Sequence, residues 1–247
     1  MSEAEPDKLL DDVREWLTTQ GYKLEYEAAR RLRAAGLDTR QGRTYRDEST
    51  GKTRDVDVLA ELLHPALRPP QDHVHVFGVV ECKWATGPWI VRKAAVLDSE
   101  ERQAWPIATG RLGGDIAGKF FPLFQGPSPM GFAIDQKRTR GAANEAHDTF
   151  LQVVSAARGL VNDEKRQAVF HPIVLVGGPL LSLWYEGDGE PRLSRSEWER
   201  VVWSGAPDLP HPVAVDVVTR SALVDYARVL VGQLTELQDY ATRYFAR

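Results

Sequence analysis

Apolar positions recur at helical spacing over residues 6–20, where Leu9, Leu10, Val13, Trp16 and Leu17 fall on one side and Gly21 ends the run. A second helix is predicted over 22–35, with Leu24, Ala28, Leu32 and Ala35 as its stripe and Gly36 as its stop. The period then changes to two. Residues 39–46 and 53–62 read as strands joined through the turn Asp47-Glu48-Ser49-Thr50-Gly51-Lys52, which makes a hairpin. Residues 63–72, with Pro65, Pro69 and Pro70, form a loop before a third strand, 73–83.

Beyond the break at Gly87-Pro88-Trp89, a short helix is expected over 92–107 around Ser99-Glu100-Glu101. Residues 110–142 are rich in glycine, proline and phenylalanine and read as an irregular insertion, whose Lys137-Arg138-x-Arg140 offers basic groups to a substrate. A helix over 143–160 carries Ala146, Phe150, Val153, Val154 and Ala157 at helical spacing. Pro172-Ile173-Val174-Leu175-Val176 is a fully apolar, buried strand, followed by Leu181–Tyr185, a strand over 212–218 and a final helix over 220–245. Helix, three strands, helix, buried strand is the order of an α/β chain with a mixed central sheet flanked by helices. We expect one domain over 1–247, with its core at about 20–177 and a C-terminal strand-helix extension over 178–247.

Composition narrows the class. The 247 residues are 43% hydrophobic and 27% charged, ordinary for a globular chain. One cysteine excludes an internal disulfide framework and agrees with a reducing compartment. The acidic start lacks the apolar segment of a secretory signal, and no apolar run is long enough to span a bilayer, so the expected location is the cytoplasm, with no membrane partner. The net charge is −4, yet residues 30–54 hold eight basic side chains against three acidic ones. Such a patch draws phosphates. A solvated helix face explains it as well.

That patch leads directly into the candidate chemistry. Side chains alternate along a strand, so Glu81 and Lys83 share one face while Cys82 points to the other, and Asp55 and Asp57 share a face in the preceding strand. Charges beside apolar strand centres are costly to bury unless they are paired or hold a metal. With the strands side by side, Asp57, Glu81 and Lys83 converge. Two close carboxylates favour a hard cation such as Mg²⁺, or Mn²⁺ as its substitute. Lys83 could orient a water or neutralise developing charge, which suits metal-assisted phosphodiester hydrolysis.

These residues resemble the PD-(D/E)XK nuclease superfamily, the restriction-endonuclease-like fold. Asp57 followed by Glu81-Cys82-Lys83, each in a strand, matches its core pattern. Upstream, Glu25-x-x-Ala28-x-x-x-Leu32-x-x-x-Gly36 is similar to its glutamate-bearing helix, and Gly51-Lys52-Thr53-Arg54-Asp55-Val56-Asp57-Val58 to its second-strand motif. The resemblance covers about residues 20–93; no proline precedes Asp57. It implies that Asp57 and Glu81 bind Mg²⁺ with the Cys82 carbonyl as a third ligand, that Lys83 serves the water, and that Glu25 supports the site. Asp55 and Glu27 are the rivals of Asp57 and Glu25. DNA is the expected substrate, with RNA left open, contacted by Arg30, Arg40, Arg43, Arg46 and Arg54.

Other patterns carry less. His73 and His75 share a strand face but lack further ligands for zinc. Gly51-Lys52-Thr53 lacks the earlier glycine and following helix of a phosphate loop. Cys82 reads as a core residue, and Trp84 and Trp89 as strand-end packing more than base-stacking groups. The final helix repeats Leu223, Ala227, Leu230, Leu234, Leu237, Ala241 and Tyr244 near heptad spacing, which suits a homodimer seam or, as we expect, packing on the sheet. The competing functions are a catalytically silent nuclease-fold module for DNA binding or assembly, and a metal-dependent phosphatase or nucleotide hydrolase.

Overall fold

A computed structural model describes residues 5–19, 22–62, 74–84, 87–93, 104, 107–109, 131–136, 145–185, 189–204 and 211–245. Helices α1 (Glu5–Thr19) and α2 (Tyr22–Ala34) lead into an antiparallel run of β1 (Leu37–Arg46), β2 (Thr53–Leu62) and β3 (His75–Lys83). Helix α3 (Glu145–Asp163) then leads to β7 (Ala168–Val176), which lies parallel to β3. The fold is α/β, with a mixed sheet and helices on both of its faces.

The predicted stripes explain the layers. Leu24, Ala28, Ala29 and Leu32 of α2 are buried, and so are Leu223, Tyr226, Ala227, Leu230, Leu234 and Leu237 of the last helix, α4 (Leu223–Phe245). Together with Val58, Ala60, Val80 and Cys82 they fill one face of the sheet. The heptad-like repeat of α4 is therefore a sheet-packing stripe as far as Leu237. The other face holds Val79 and Val174 under Ala146, Phe150, Val153, Val154 and Ala157 of α3. Burying apolar surface on both faces is what allows β3 and β7 to run as near-continuous apolar strands. The stripe of α1 differs: Leu9, Leu10, Val13, Trp16 and Leu17 are all exposed. No described helix is long and apolar enough to cross a membrane.

The second half of the chain departs from expectation. Arg92 and Lys93 belong to a strand, β4 (Trp89–Lys93), whose buried Trp89 and Val91 alternate with its outer residues. Ile107 and Ala108 form β5, antiparallel to β7; residues 94–103 of the expected helix lie outside the described residues. Residues 110–142 are not wholly irregular, because Gly131–Gln136 is a strand, β6, paired with β4; the rest of that stretch, including its basic cluster, is outside the description. After β8 (Leu180–Tyr185) come two unforeseen strands, β9 (Pro191–Ser196) and β10 (Trp198–Trp203). β11 (Val213–Thr219) pairs parallel with β7 and antiparallel with β10, so the expected C-terminal extension continues the sheet from its middle. The order along the sheet is β1-β2-β3-β7-β11-β10-β6-β4-β8-β9.

This half is held by buried charge. Asp216 of β11 accepts hydrogen bonds from Arg200 (2.6 Å), His171 (2.8 Å) and the Tyr226 hydroxyl (2.7 Å). Burial alone would raise its pKa, but Arg200 and His171 hold it well below the ordinary carboxylate range. With every oxygen engaged, it reads as a structural network.

Candidate active site at a break in the sheet

The site begins with a defect in the β1–β2–β3 ladder. β2 and β3 pair from Glu61↔Phe77 to Val58↔Val80, and the next position, Asp57 opposite Glu81, is unpaired. On the other side of β2, pairing steps from Gln41↔Val58 to Arg43↔Val56, passing over Gly42 opposite Asp57. Gly42 has φ 63°, a left-handed conformation that side chains with a Cβ adopt at a cost. Both strands turn over there. Leu37 and Val58 pack with the α2/α4 face, whereas Tyr45 and Val56, at the same parity in their strands, pack with the α3 face. Asp57 thus occupies a point where its strand has lost a partner on each side.

Its carboxylate fills part of the gap. Asp57 Oδ2 accepts the backbone N–H of Cys82 at 2.7 Å. The N–H and C=O of one strand residue point to the same edge, so the Cys82 carbonyl faces the same gap. The Lys83 carbonyl faces the opposite edge, where it accepts the Gly177 N–H at 2.8 Å. The Cys82 thiol is in the core, and burial pushes its pKa well above the ordinary value, which removes it as a nucleophile.

Glu81 and Lys83 lie on the α3 side. Lys83 Nζ is 2.8 Å from Glu81 Oε1 and donates to Gln152 Oε1 of α3 at 3.4 Å. Burial, then the charge of Asp57, pushes Glu81 up to about 7 against the pull of Lys83. Glu25 of α2 is likewise pushed to about 7, by burial and then by Asp57, with Lys83 opposing. Asp57 itself is raised by burial, offset in part by the Cys82 N–H and Lys83. For Lys83, burial would lower the pKa, but Glu81 and Asp57 raise it, so it stays charged. Three carboxylates from three elements therefore share one field with a single lysine. Of the rivals, Asp55 is exposed, and Glu27 is engaged by Arg31 and by Arg220 at 2.6 Å.

The donors are hard oxygens, raised in pKa first by burial and then by one another's charge, and such donors fit Mg²⁺ or Mn²⁺. Among the described residues no three His, Cys, Asp or Glu side chains converge as a metal-ligand group. Two carboxylates with a main-chain carbonyl do not require one, since Mg²⁺ keeps several waters.

Two residues at the site escaped the sequence reading. Tyr45 is 2% exposed and its hydroxyl has no hydrogen-bond partner among the described residues; burial raises its pKa to about 12. Gln152 is half-buried beside the α3 stripe, a position that offers no sequence signal. The arginines divide. Arg40 bonds Asp38 (3.3 Å) and Glu61 (3.2 Å), and Arg54 bonds Asp47 (2.8 Å). Arg30, Arg43 and Arg46 are exposed and form no ion pair among the described residues. His75 is taken by Glu61 at 2.8 Å, while His73 lies outside the described residues. Trp89 is buried; Trp84 is 45% exposed, with the Arg220 guanidinium 5.9 Å from its ring centre. Searches against protein families, curated proteins and solved structures find no match to this chain.

Proposed function

We propose that the chain is a Mg²⁺-dependent endonuclease that hydrolyses DNA phosphodiester bonds, of restriction, defence or repair type, on a restriction-endonuclease-like core. The observation that carries this reading is Asp57 at the break in the sheet, with Glu81, Lys83 and Glu25 all within its field. The order α2, β1–β2–β3, α3, β7, with β7 parallel to β3, supports the fold assignment.

Asp57, Glu81 and the Cys82 carbonyl would hold Mg²⁺, with Mn²⁺ as a substitute. A bound divalent ion supplies positive charge beside the phosphate and makes water a better nucleophile. Lys83, kept protonated by Glu81, sets an ammonium where negative charge builds on the phosphate. Glu25, whose proton affinity lies near neutral pH, can exchange a proton with water at the site. Arg43 and Arg46, unpaired among the described residues on the hairpin that carries Asp57, attract the DNA backbone.

Purified protein should cut plasmid or oligonucleotide DNA with Mg²⁺ or Mn²⁺ and stop in EDTA, with RNA assayed alongside. Lys83→Ala should slow cutting by about 10²–10³-fold, the scale of losing one charge-stabilising group. Equal rates for wild type and Lys83→Ala sink the assignment. One observation favours a second reading, a silent DNA-binding or assembly module: Lys83 already neutralises Glu81. Metal-independent DNA binding without cleavage of any substrate would carry it.

A further inference from the structure

Beside the site lies a half-open cleft of about 610 Å³, between the turn that joins β1 to β2 and the outer surface of α3. That volume is within the range of small-molecule sites. Two arginines, Arg54 and Arg158, stand in it against three carboxylates, Asp47, Glu48 and Asp148. Both arginines are engaged, Arg54 by Asp47 at 2.8 Å and Arg158 by Glu48 at 3.3 Å. A cleft so neutralised holds a phosphate poorly. Its remaining lining is Tyr45, Leu151 and Val154 with the hydrogen-bonding groups of Ser49, Thr50, Gln152 and Ser155, which suits an uncharged ring with donors and acceptors on its edge.

Two features tie the cleft to the chemistry. The buried Tyr45 hydroxyl has no partner among the described residues, a state that costs about 1–3 kcal/mol until an acceptor reaches it. Gln152 lines the cleft while its Oε1 accepts from Lys83 Nζ at 3.4 Å. A ring held against Gln152 is therefore one side chain away from the lysine assigned to the phosphate, as a nucleobase is one sugar away from its own phosphate.

We infer that this cleft receives one unstacked nucleobase of the strand whose phosphate lies at the Asp57–Glu81–Lys83 site, an inference that rests on the nuclease reading above. Extruding a base costs a few kcal/mol. Apolar contact with Leu151 and Val154 and hydrogen bonds to Tyr45 and Gln152 offset that cost.

A fluorescence titration with 2-aminopurine deoxyriboside 5′-monophosphate tests the cleft without any cleavage step. Wild type should give a saturable change in emission. Ser155→Trp, which fills the cleft from α3, and Tyr45→Phe, which removes only the unpartnered hydroxyl, should each weaken binding about tenfold or more. Should Ser155→Trp fail to fold, Tyr45→Phe decides. No saturable change at millimolar nucleotide, or equal binding by wild type and the folded variants, overturns the inference, and DNA cleavage then stands or falls by its own assay. Binding lost in the variants but present in a protein that cuts nothing keeps the base site and removes the nuclease reading.

Discussion

Asp57 accepts the Cys82 N–H at 2.7 Å across the point where β2 and β3 cease to pair. A side chain thus does the work of a main-chain carbonyl, and it carries an ionisable group into the gap. Asp57→Asn keeps an oxygen for the Cys82 N–H and removes the charge. We expect it to fold normally and to lose metal-dependent cleavage by more than about 100-fold, beyond the cost of an outer-sphere partner. A rate within threefold of wild type, measured at saturating Mg²⁺, would show that Asp57 is a strand brace and no more.

Glu25 and Glu81, both raised from 4.5 to about 7, give the pH dependence its sign. Between those values the folded protein holds protons there that the unfolded chain has released. Stability of the metal-free protein therefore falls as pH rises from about 4.5, and the loss is complete above about 7. A divalent ion binds the deprotonated forms, so its affinity climbs through the same window. Melting temperatures at pH 5.5 and 8.0, with and without Mn²⁺, should show a metal-induced gain that is larger at the higher pH. At this chain length each kcal/mol is worth about 2–4 °C. A gain independent of pH would remove both glutamates from the metal site.

The parts of this site that were legible in sequence are those where charge interrupts an apolar strand. Glu81 and Lys83 announce themselves within one segment, and Asp57 does so once the two strands are set side by side. Tyr45 and Gln152 gave no such signal, because Tyr45 changes face only where the hairpin turns over at Gly42, and Gln152 meets Lys83 only once α3 packs on β3. The same limit explains the strands missed beyond residue 93. β9 is exposed along five of its six residues and exists as an edge on β8, while β10 carries Glu199 and Arg200 in its middle. Their partners, Lys93 at 2.8 Å and Asp216 at 2.6 Å, come from remote segments that no local period reveals. Arg40 was counted in a free basic rim, but Glu61 on the neighbouring strand takes it.

Gly42 supplies a test of the turnover itself. A Cβ at this position would meet nothing within 4 Å, so a substitution there brings backbone strain and no clash. Gly42→Ala should cost about 1–2 kcal/mol, and Gly42→Asn less, since asparagine tolerates the left-handed region. If the kink sets Asp57, cleavage should fall further in the alanine variant than in the asparagine variant. Unchanged melting and cleavage in both would mean that β1 reaches the same geometry without its glycine.

Arg43 and Arg46 separate a working phosphate rim from a merely basic surface. Both are exposed and unpaired among the described residues, whereas Arg40 and Arg54 are held by carboxylates. A free guanidinium that neutralises a phosphate releases counterions, and each such contact adds about one to the slope of log affinity against log salt. Arg43→Ala and Arg46→Ala should therefore each lower that slope by about one, weaken DNA binding without regard to sequence, and leave stability within about 0.5 kcal/mol of wild type. Arg40→Ala should do the reverse, destabilising the fold through the abandoned Glu61 while barely moving the slope. Binding isotherms across a salt series, with wild type and the three variants in parallel, decide the matter. Equal slopes for all four proteins would mean that DNA approaches from another face.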